Sequence, residues 1–230
     1  MTVTASASVR VAAVQMVSTA SLPANLAAAE SLIAQAAAGG AELVALPEYF
    51  CLMGMKDEDK VAARETDGRG PVQDFLAAQA QRHRITLVGG TVPLATEAPQ
   101  RVRNSVLVYG PGGERIARYD KIHLFNFRKD AESYDEARTI EPGAQVSTFR
   151  FSSRAGTSLK VGLSVCYDLR FPELYRAMAQ PDLILVPAAF TATTGRAHWT
   201  TLLKARAIEN LAYVLAPAQG GRHENGRATY

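Results

Sequence analysis

Three residues whose side chains could perform covalent chemistry stand far apart in the 230-residue chain: Glu48, Lys121 and Cys166. Cys166 ends an apolar run and precedes a helical pattern, so its thiol is expected at the carboxyl end of a strand, where α/β sheets hold their sites. The backbone N–H groups that follow and the helix N-terminus favour negative charge, which predicts a thiol pKa below the free value of about 8.5. A nucleophile is one interpretation of Cys166, and a small buried side chain is the other.

Glu48 and Lys121 could supply what a thiol nucleophile requires. Glu48 follows Leu-Pro at the end of a buried strand pattern, where a carboxylate suits a general base; a glutamate in a solvated loop is the alternative. Lys121 could hold a carboxylate or stabilise an oxyanion, or it could extend its ammonium to solvent. His123 follows closely and leaves a Cys–His catalyst open. Ser164 lies inside the strand and is discounted as a nucleophile.

The composition excludes several classes of protein. Lys plus Arg number 25 and Asp plus Glu 22, a net charge of +3, and no dense basic run indicates nucleic-acid binding. No apolar stretch approaches the roughly 20 residues that span a bilayer. The N-terminus lacks the basic segment followed by an apolar segment that is typical of a secretory signal. Two cysteines cannot build a disulfide framework. We therefore expect a cytoplasmic globular protein. The histidines and cysteines show no HxxxH or CxxC spacing, so a metal site is unsupported.

Strand and helix patterns alternate along the chain and predict an α/β fold. Strands are predicted over 9–17, 41–50, 85–94 (with a glycine break), 182–190 and 212–219, and helices over 22–36, 75–83 and 198–211. A hairpin is predicted over 104–125, and a strand, tight turn and helix over 159–180. Residues 51–70 and 126–147 are predicted as loops, and residues 1–8 as flexible. No linker separates domains, so residues 1–230 are expected to form one domain.

The number of strands that are apolar on both faces constrains the architecture. Two sheets packed together, with helices outside, would bury them; a single doubly wound sheet is the alternative. The predicted first strand, helix and second strand form a βαβ unit with a parallel pair. The hairpin interrupts the alternation, so the sheets are expected to be mixed.

The segments around the three candidate residues resemble the Glu-Lys-Cys signature of the nitrilase superfamily of carbon–nitrogen hydrolases. They are LPEYF, YDKIHLF and GLSVCYDLRFPELYR, and the resemblance covers residues 9–230. It implies a four-layer α-β-β-α sandwich and a homodimer or larger homo-oligomer. Glu136, before a short stretch ending in Pro-Gly, matches a second family glutamate and is expected to hold Lys121. Family chains continue several dozen residues past the match to Tyr230, so the end of the family fold is expected to be missing.

Three later segments narrow the resemblance to the branch that includes deaminated glutathione amidases. They are TTGRAHW, LLKARAIEN and AQGGRHENGRATY, and ω-amidases resemble them less. The resemblance implies hydrolysis of an amide of a small carboxylate-bearing substrate through a thioester on Cys166, without a metal or organic cofactor. Glu48 would act as base, acid and base again, which requires that it be desolvated. The oxyanion would lie between Lys121 and the Tyr167 N–H.

Substrate-binding residues are expected near Cys166. Arg170 could bind a substrate carboxylate through bidentate hydrogen bonds from its guanidinium, or it could form an ion pair with Glu173 or an acidic residue of a loop. The remaining candidates for lining the site are Tyr167, Tyr49, Phe190, Thr191 and Thr194. His198 and Trp199, at the start of a predicted helix, are assigned structural roles.

Other functions stay open at this point. An ω-amidase, a nitrilase or an N-carbamoyl amidase would share the signature. A catalytically silent interaction module is a hypothesis of another class. A papain-like Cys–His arrangement ranks below these, because it would leave Lys121 and Glu48 without a role.

Overall fold

The computed structural model describes residues 8–129 and 132–230, and within these ranges the chain forms five α-helices and fourteen short β-strands. The helices are α1 (Leu22–Ala38), α2 (Asp59–Ala62), α3 (Pro71–His83), α4 (Pro172–Ala177) and α5 (Ala192–Asn210). The strands are β1 (Val11–Ala13), β2 (Leu43–Ala45), β3 (Thr86–Val88), β4 (Val92–Ala95), β5 (Val102–Tyr109), β6 (Arg115–Asp120), β7 (Asn126–Lys129), β8 (Glu132–Asp135), β9 (Thr148–Ser152), β10 (Ser158–Leu163), β11 (Leu183–Leu185), β12 (Tyr213–Leu215), β13 (Gly221–Arg222) and β14 (Ala228–Thr229). Apart from Ser8, the segment predicted to be flexible lies outside the described residues.

The first sheet has six strands in the order β1-β2-β3-β5-β4, with β6 also paired to β5. Strands β1, β2 and β3 are parallel, so the predicted βαβ unit through α1 is confirmed. Strands β3 and β4 are both antiparallel to β5. They are two parts of the predicted strand 85–94, which is broken at Gly89-Gly90 as expected.

The second sheet has four strands in the order β12-β11-β10-β9. Its first three strands are parallel, and β9 is antiparallel to β10, so both sheets are mixed as predicted. Two isolated parallel bridges, Met16 to Gln219 and Ala188 to Ala218, join the chain that leaves β12 to the segments that follow β1 and β11. The carboxyl ends of strands from both sheets therefore meet in one region.

Side-chain alternation in the first sheet produces the layers. Leu43 and Ala45 on β2 pack in the core shared with the second sheet, whereas Val44 and Leu46 pack with α1 and α3. Leu174 of α4 belongs to the same cluster as the second sheet. The predicted four-layer α-β-β-α sandwich is confirmed, and the alternative of a single doubly wound sheet is wrong. Within the described ranges, no helix has both the length and the apolar character that crossing a bilayer requires.

Two segments predicted as loops contain regular structure. Helix α2 lies within 51–70, and the hairpin of β7 and β8 lies within 126–147, where the described part also includes a 3₁₀ turn over Glu136–Arg138. The sequences of β7 and β8 are largely polar and lack the apolar alternation that predicts a strand. Aromatic contacts support this hairpin, since the Phe125 ring lies 5.6 Å from Tyr134 and 5.9 Å from Phe127.

The end of one strand and the start of one helix differ from the predicted positions, and both differences affect the candidate site. The second strand of the predicted hairpin ends at Asp120, so Lys121 and His123 follow β6 instead of lying within a strand. Helix α5 begins at Ala192, six residues before the predicted start at His198, and therefore includes Thr194. Its first turns contain Thr and Gly, which have low helix propensity and mask the helical pattern.

A glycine beside the Glu48 loop generates the first prediction. Gly90 has a φ of +48°, and a Cβ added there would lie 2.1 Å from the Pro47 carbonyl oxygen. We expect Gly90→Ala to lower the free energy of unfolding by at least about 3 kcal/mol, because backbone strain and overpacking combine. Gly68 is a matched control, with a φ of +83° and no atom within 4 Å of an added Cβ. Gly68→Ala should cost about 1 kcal/mol, and equal losses in urea unfolding would contradict the crowding argument.

Candidate active site

The site is centred on a lysine ammonium buried between two carboxylates. Lys121 Nζ lies 3.0 Å from Glu48 Oε1 and 2.9 and 2.8 Å from the two oxygens of Glu136. The Lys121 and Glu48 side chains are 0% and 1% exposed. Burial alone would lower the pKa of Lys121, but the Glu136 and Glu48 carboxylates raise it above its usual value. Lys121 is therefore a permanent cation.

Glu48 is held by donors on three separate elements. Besides Lys121, the Asn104 side-chain amide on β5 donates to Oε1 at 2.9 Å, and the Ala189 N–H after β11 donates to Oε2 at 2.9 Å. Its own carbonyl oxygen accepts from Gln219 Nε2 at 3.1 Å. The carboxylate is desolvated, as a residue acting alternately as base and acid requires.

Glu136 fixes the other side of the ammonium. The Tyr49 hydroxyl donates to Oε1 at 3.0 Å and the Phe125 N–H donates to Oε2 at 2.8 Å. Burial alone would raise the pKa of Glu136, but the charge and hydrogen bonds of Lys121 hold it below the usual value. Glu136 is an anion that contacts Lys121, which is the position expected from the resemblance.

Cys166 begins a 3₁₀ turn (Cys166–Arg170) that follows β10. Its φ is +46°, a left-handed conformation that is rare for any residue other than glycine and is found preferentially at functional sites. The Cys166 N–H donates to Pro187 O at 2.9 Å, which secures the turn against the segment after β11. This turn brings the thiol to the carboxyl ends of the strands, where the charges of Glu48 and Lys121 act on it.

The predicted lowering of the thiol pKa is wrong. Burial raises the pKa of Cys166 well above its usual value, Glu48 raises it further, and Lys121 offsets only part of the shift. The predicted helix effect is weak because α4 begins only at Pro172, six residues later, and is itself six residues long. The thiol is therefore protonated at neutral pH and needs a neighbouring proton acceptor before it can attack.

A buried aspartate that the sequence analysis missed connects this turn to the segment after Lys121. Asp168 Oδ2 accepts from the Val165 N–H and the Tyr119 hydroxyl, both at 2.8 Å. Its Oδ1 accepts from the His123 N–H at 3.0 Å and lies 2.7 Å from His123 Nδ1. The His123 ring also stacks on Phe171 at 3.7 Å. These contacts favour a structural role for His123 over a Cys–His catalyst.

Two adjoining cavities open at the site. The thiol cavity is lined by Phe125, Glu136, Cys166, Tyr167, Ala189, Phe190, Thr191, Thr194 and Arg227. The side cavity is lined by Tyr49, Leu52, Met53, Gly54, Lys56, Asp57, Lys60, Phe125, Tyr134, Asp135, Glu136, Asn225 and Arg227. Five of the six predicted substrate-binding residues therefore line one of these cavities.

Arg170 is the exception, since it lines neither cavity. Its guanidinium lies 3.3 Å from His198 Nδ1 and over the rings of Tyr167 and Phe190. Neither Glu173 nor another carboxylate of the described side chains is within salt-bridge distance of it. The Trp199 ring packs 5.1 Å from Phe190, in keeping with the structural role assigned to Trp199.

Arg227, which the sequence analysis did not single out, lines both cavities. It lies in a turn-rich segment with no hydrophobic period, so only its charge and its place in AQGGRHENGRATY could have drawn attention to it. Asn104, Ala189 and Gln219 were also missed, because two of them act through common amide side chains and Ala189 acts through its backbone.

The α-β-β-α layers and the buried Glu–Lys pair beside a cysteine thiol define a cysteine-dependent hydrolase. The family described as Carbon-nitrogen hydrolase matches residues 10–230. A deaminated glutathione amidase from Synechocystis sp. is 43% identical over 224 residues, covering 95% of this chain and 80% of the relative. The omega-amidase NIT2 of Homo sapiens is 37% identical over 194 residues, covering 83% and 67%.

A solved structure of an amidase is also similar to this chain. An amidase from Nesterenkonia sp. AN1, with acrylamide added at its active-site cysteine, matches with a TM-score of 0.79 and 26% identity, covering 96% of this chain and 82% of that one. The chain belongs to the carbon–nitrogen hydrolase family. The predicted membership of the nitrilase superfamily and the prediction of a cysteine-dependent amidase are confirmed.

The charges around the thiol predict how its titration responds to substitution. We expect Cys166 to stay protonated beyond about pH 8.5, the pKa of a free cysteine, because it is buried beside Glu48. Glu48→Gln removes a negative charge and should lower the thiol pKa, whereas Lys121→Met should raise it.

The thiolate absorbance of each protein, minus that of its Cys166→Ser counterpart, measures this titration. Subtraction also removes Cys51, whose burial raises its pKa to about 12. A thiolate already complete at pH 7 in the unsubstituted protein, or shifts of the same sign in the two variants, would contradict the electrostatic account.

Proposed function

We propose that this protein hydrolyses an amide bond of a small carboxylate-bearing molecule through a thioester on Cys166, and that deaminated glutathione is the substrate. The burial of a protonated thiol beside the Glu48–Lys121 pair carries the proposal. The names of the Synechocystis and Yersinia enterocolitica relatives, both deaminated glutathione amidases, support the choice of substrate.

In the first half of the reaction Glu48 takes the proton of the Cys166 thiol while the sulfur attacks the amide carbon. The carbonyl oxygen becomes an oxyanion between the Lys121 ammonium and the Tyr167 N–H. Collapse of this intermediate breaks the C–N bond, and Glu48 returns its proton to the departing amine. The acyl group remains on Cys166 as a thioester.

In the second half Glu48 takes a proton from a water molecule that attacks the thioester carbon. The C–S bond breaks, Cys166 regains its proton, and the substrate's acyl group leaves as a carboxylic acid. Glu136 stays ionised throughout and keeps Lys121 in place, which is a positioning role. Tyr167, Phe190, Thr191, Thr194 and Tyr49 contribute the walls that orient the amide.

We also propose a cytoplasmic homo-oligomer. Cys51 and Cys166 are free thiols, which suits a reducing compartment. Three large apolar side chains, Ile208, Leu211 and Tyr213, are 73%, 93% and 80% exposed where α5 passes into the edge strand β12. Apolar surface of this kind, beside an unpaired strand edge, favours association with a second copy.

Deaminated glutathione hydrolysis, followed by mass spectrometry of the products, tests the substrate and the nucleophile. We expect Cys166→Ala to abolish the reaction and Lys121→Met to slow it at least 100-fold, since one oxyanion donor contributes about 3 kcal/mol. Cys51→Ala, at the other buried cysteine, is the matched control and should retain activity. Brief mixing with substrate should add the acyl mass to Cys166.

Equal rates for the Cys166→Ala variant and the unsubstituted protein would refute the nucleophile assignment. A kcat/KM for 2-oxoglutaramate that equals or exceeds that for deaminated glutathione would make the protein an ω-amidase instead, as its likeness to the human relative would allow.

Analytical ultracentrifugation tests the assembly. We expect a dimer or larger species that dissociates when Ile208 and Leu211 are both replaced by Glu, because two charges would be buried at the contact. Ile116→Glu, at an apolar residue 40% exposed on β6, is the control and should leave the sedimentation unchanged. Equal effects of the two changes, or a monomer in the unsubstituted protein, would contradict the proposed contact.

A further inference from the structure

Arg227 is held at the candidate site by a short hairpin made of β13 and β14. His223 fastens the hairpin, since its Nδ1 lies 2.9 Å from Ser18 O and its Nε2 lies 2.9 Å from Thr229 Oγ1. The Arg227 N–H donates to Asn225 Oδ1 at 3.0 Å within the connecting turn. The hairpin therefore projects the Arg227 side chain from an anchored backbone.

The guanidinium lies where the two cavities adjoin. Its Nη2 donates to Ala189 O at 2.5 Å, and the N–H of the same Ala189 donates to Glu48. Its Cζ lies 5.2 Å from the centre of the Tyr134 ring. The Nε is buried, and no described group accepts its hydrogen. A buried donor without an acceptor is costly, and it indicates a ligand atom that completes it.

No carboxylate among the described side chains lies within salt-bridge distance of Arg227, although two carboxylates bond to Lys121 in the same site. The charges of Lys56, Lys60, Asp57 and Asp135 in the side cavity cancel one another. Lys121 contributes one positive charge between Glu48 and Glu136, which leaves one negative charge uncompensated at the site. Arg227 brings the sum to zero. Without it, an anionic substrate would approach a cavity of net negative charge.

We infer that Arg227 binds a carboxylate of the substrate and sets a preference for anionic amides, an inference that rests on the proposed function. The Nε–H and the guanidinium N–H groups that do not bond to Ala189 would donate two parallel hydrogen bonds to the carboxylate of the substrate. Arg227 takes the part that the sequence analysis gave to Arg170, which lines neither cavity. It is a specificity residue, since it contacts the substrate away from the bond that breaks.

Two amides of matched size test the inference. Succinamate carries a carboxylate where butyramide carries a methyl group, so the ratio of their kcat/KM values reports recognition of the anion. We expect Arg227→Gln to lower this ratio about 100-fold, the effect of losing a charge-assisted bidentate contact. The Ki of succinate as a product inhibitor should rise by a similar factor. Arg222→Gln, at an exposed arginine of the same hairpin, is the control and should keep both values.

The possible outcomes separate this inference from the proposed function. If hydrolysis depends on Cys166 but Arg227→Gln leaves both the ratio of kcat/KM values and the Ki of succinate unchanged, only the role of Arg227 is overturned. Hydrolysis of neither amide, together with no hydrolysis of deaminated glutathione by the unsubstituted protein, would overturn both. If Arg227→Gln does not fold, Arg227→Lys replaces it as the test variant. Lysine keeps the positive charge but cannot donate two parallel hydrogen bonds to one carboxylate. A ratio lowered at least tenfold in that variant supports the inference, and an unchanged ratio overturns it.

Discussion

The rest of the site depends on one buried interaction, the ammonium of Lys121 between the carboxylates of Glu48 and Glu136. Removing one partner of a buried ion pair leaves an uncompensated charge that costs about 3–5 kcal/mol. Asn104, on the first sheet, donates to the same Glu48 oxygen as Lys121, and the Ala189 N–H, beside the second sheet, donates to the other. Glu48, the partner of the group that would stabilise the oxyanion, is therefore also a structural connection between the two halves of the sandwich.

The backbone next to the reacting groups departs from ordinary conformations. Tyr49, directly after Glu48, has a φ of 58°, and Cys166 has a φ of 46°. Such conformations cost about 1–3 kcal/mol each and persist only where surrounding contacts impose them. Here the Tyr49 hydroxyl bonds to Glu136 and the Cys166 N–H bonds to the Pro187 carbonyl. Two of the six described non-glycine residues with positive φ are therefore Cys166 and the residue next to Glu48.

Much of the fold was predictable because buried strands leave apolar runs that a sequence displays directly. Glu48, Lys121 and Cys166 were predictable because each is a reactive type at the end of such a run. The hairpin of β7 and β8 was not, since its residues are polar and aromatic contacts support it. The raised pKa of Cys166 also escaped prediction, because burial and a carboxylate over a hundred positions away cause it. The role inferred for Arg227 depends on an unsatisfied Nε, which only three-dimensional contacts reveal.

Contacts between residues far apart in the sequence affect the order of events during synthesis. Gln219 donates to Ser18 Oγ and to the Glu48 carbonyl, and His223 contacts Ser18 O, so these bonds span about two hundred positions. A nascent chain can assemble the first sheet while it is still emerging from the ribosome. The Glu48 carbonyl gains its bond from Gln219 only after the segment that contains Gln219 has been released. A polypeptide that ends before this segment therefore lacks one of the contacts that hold the Glu48 loop.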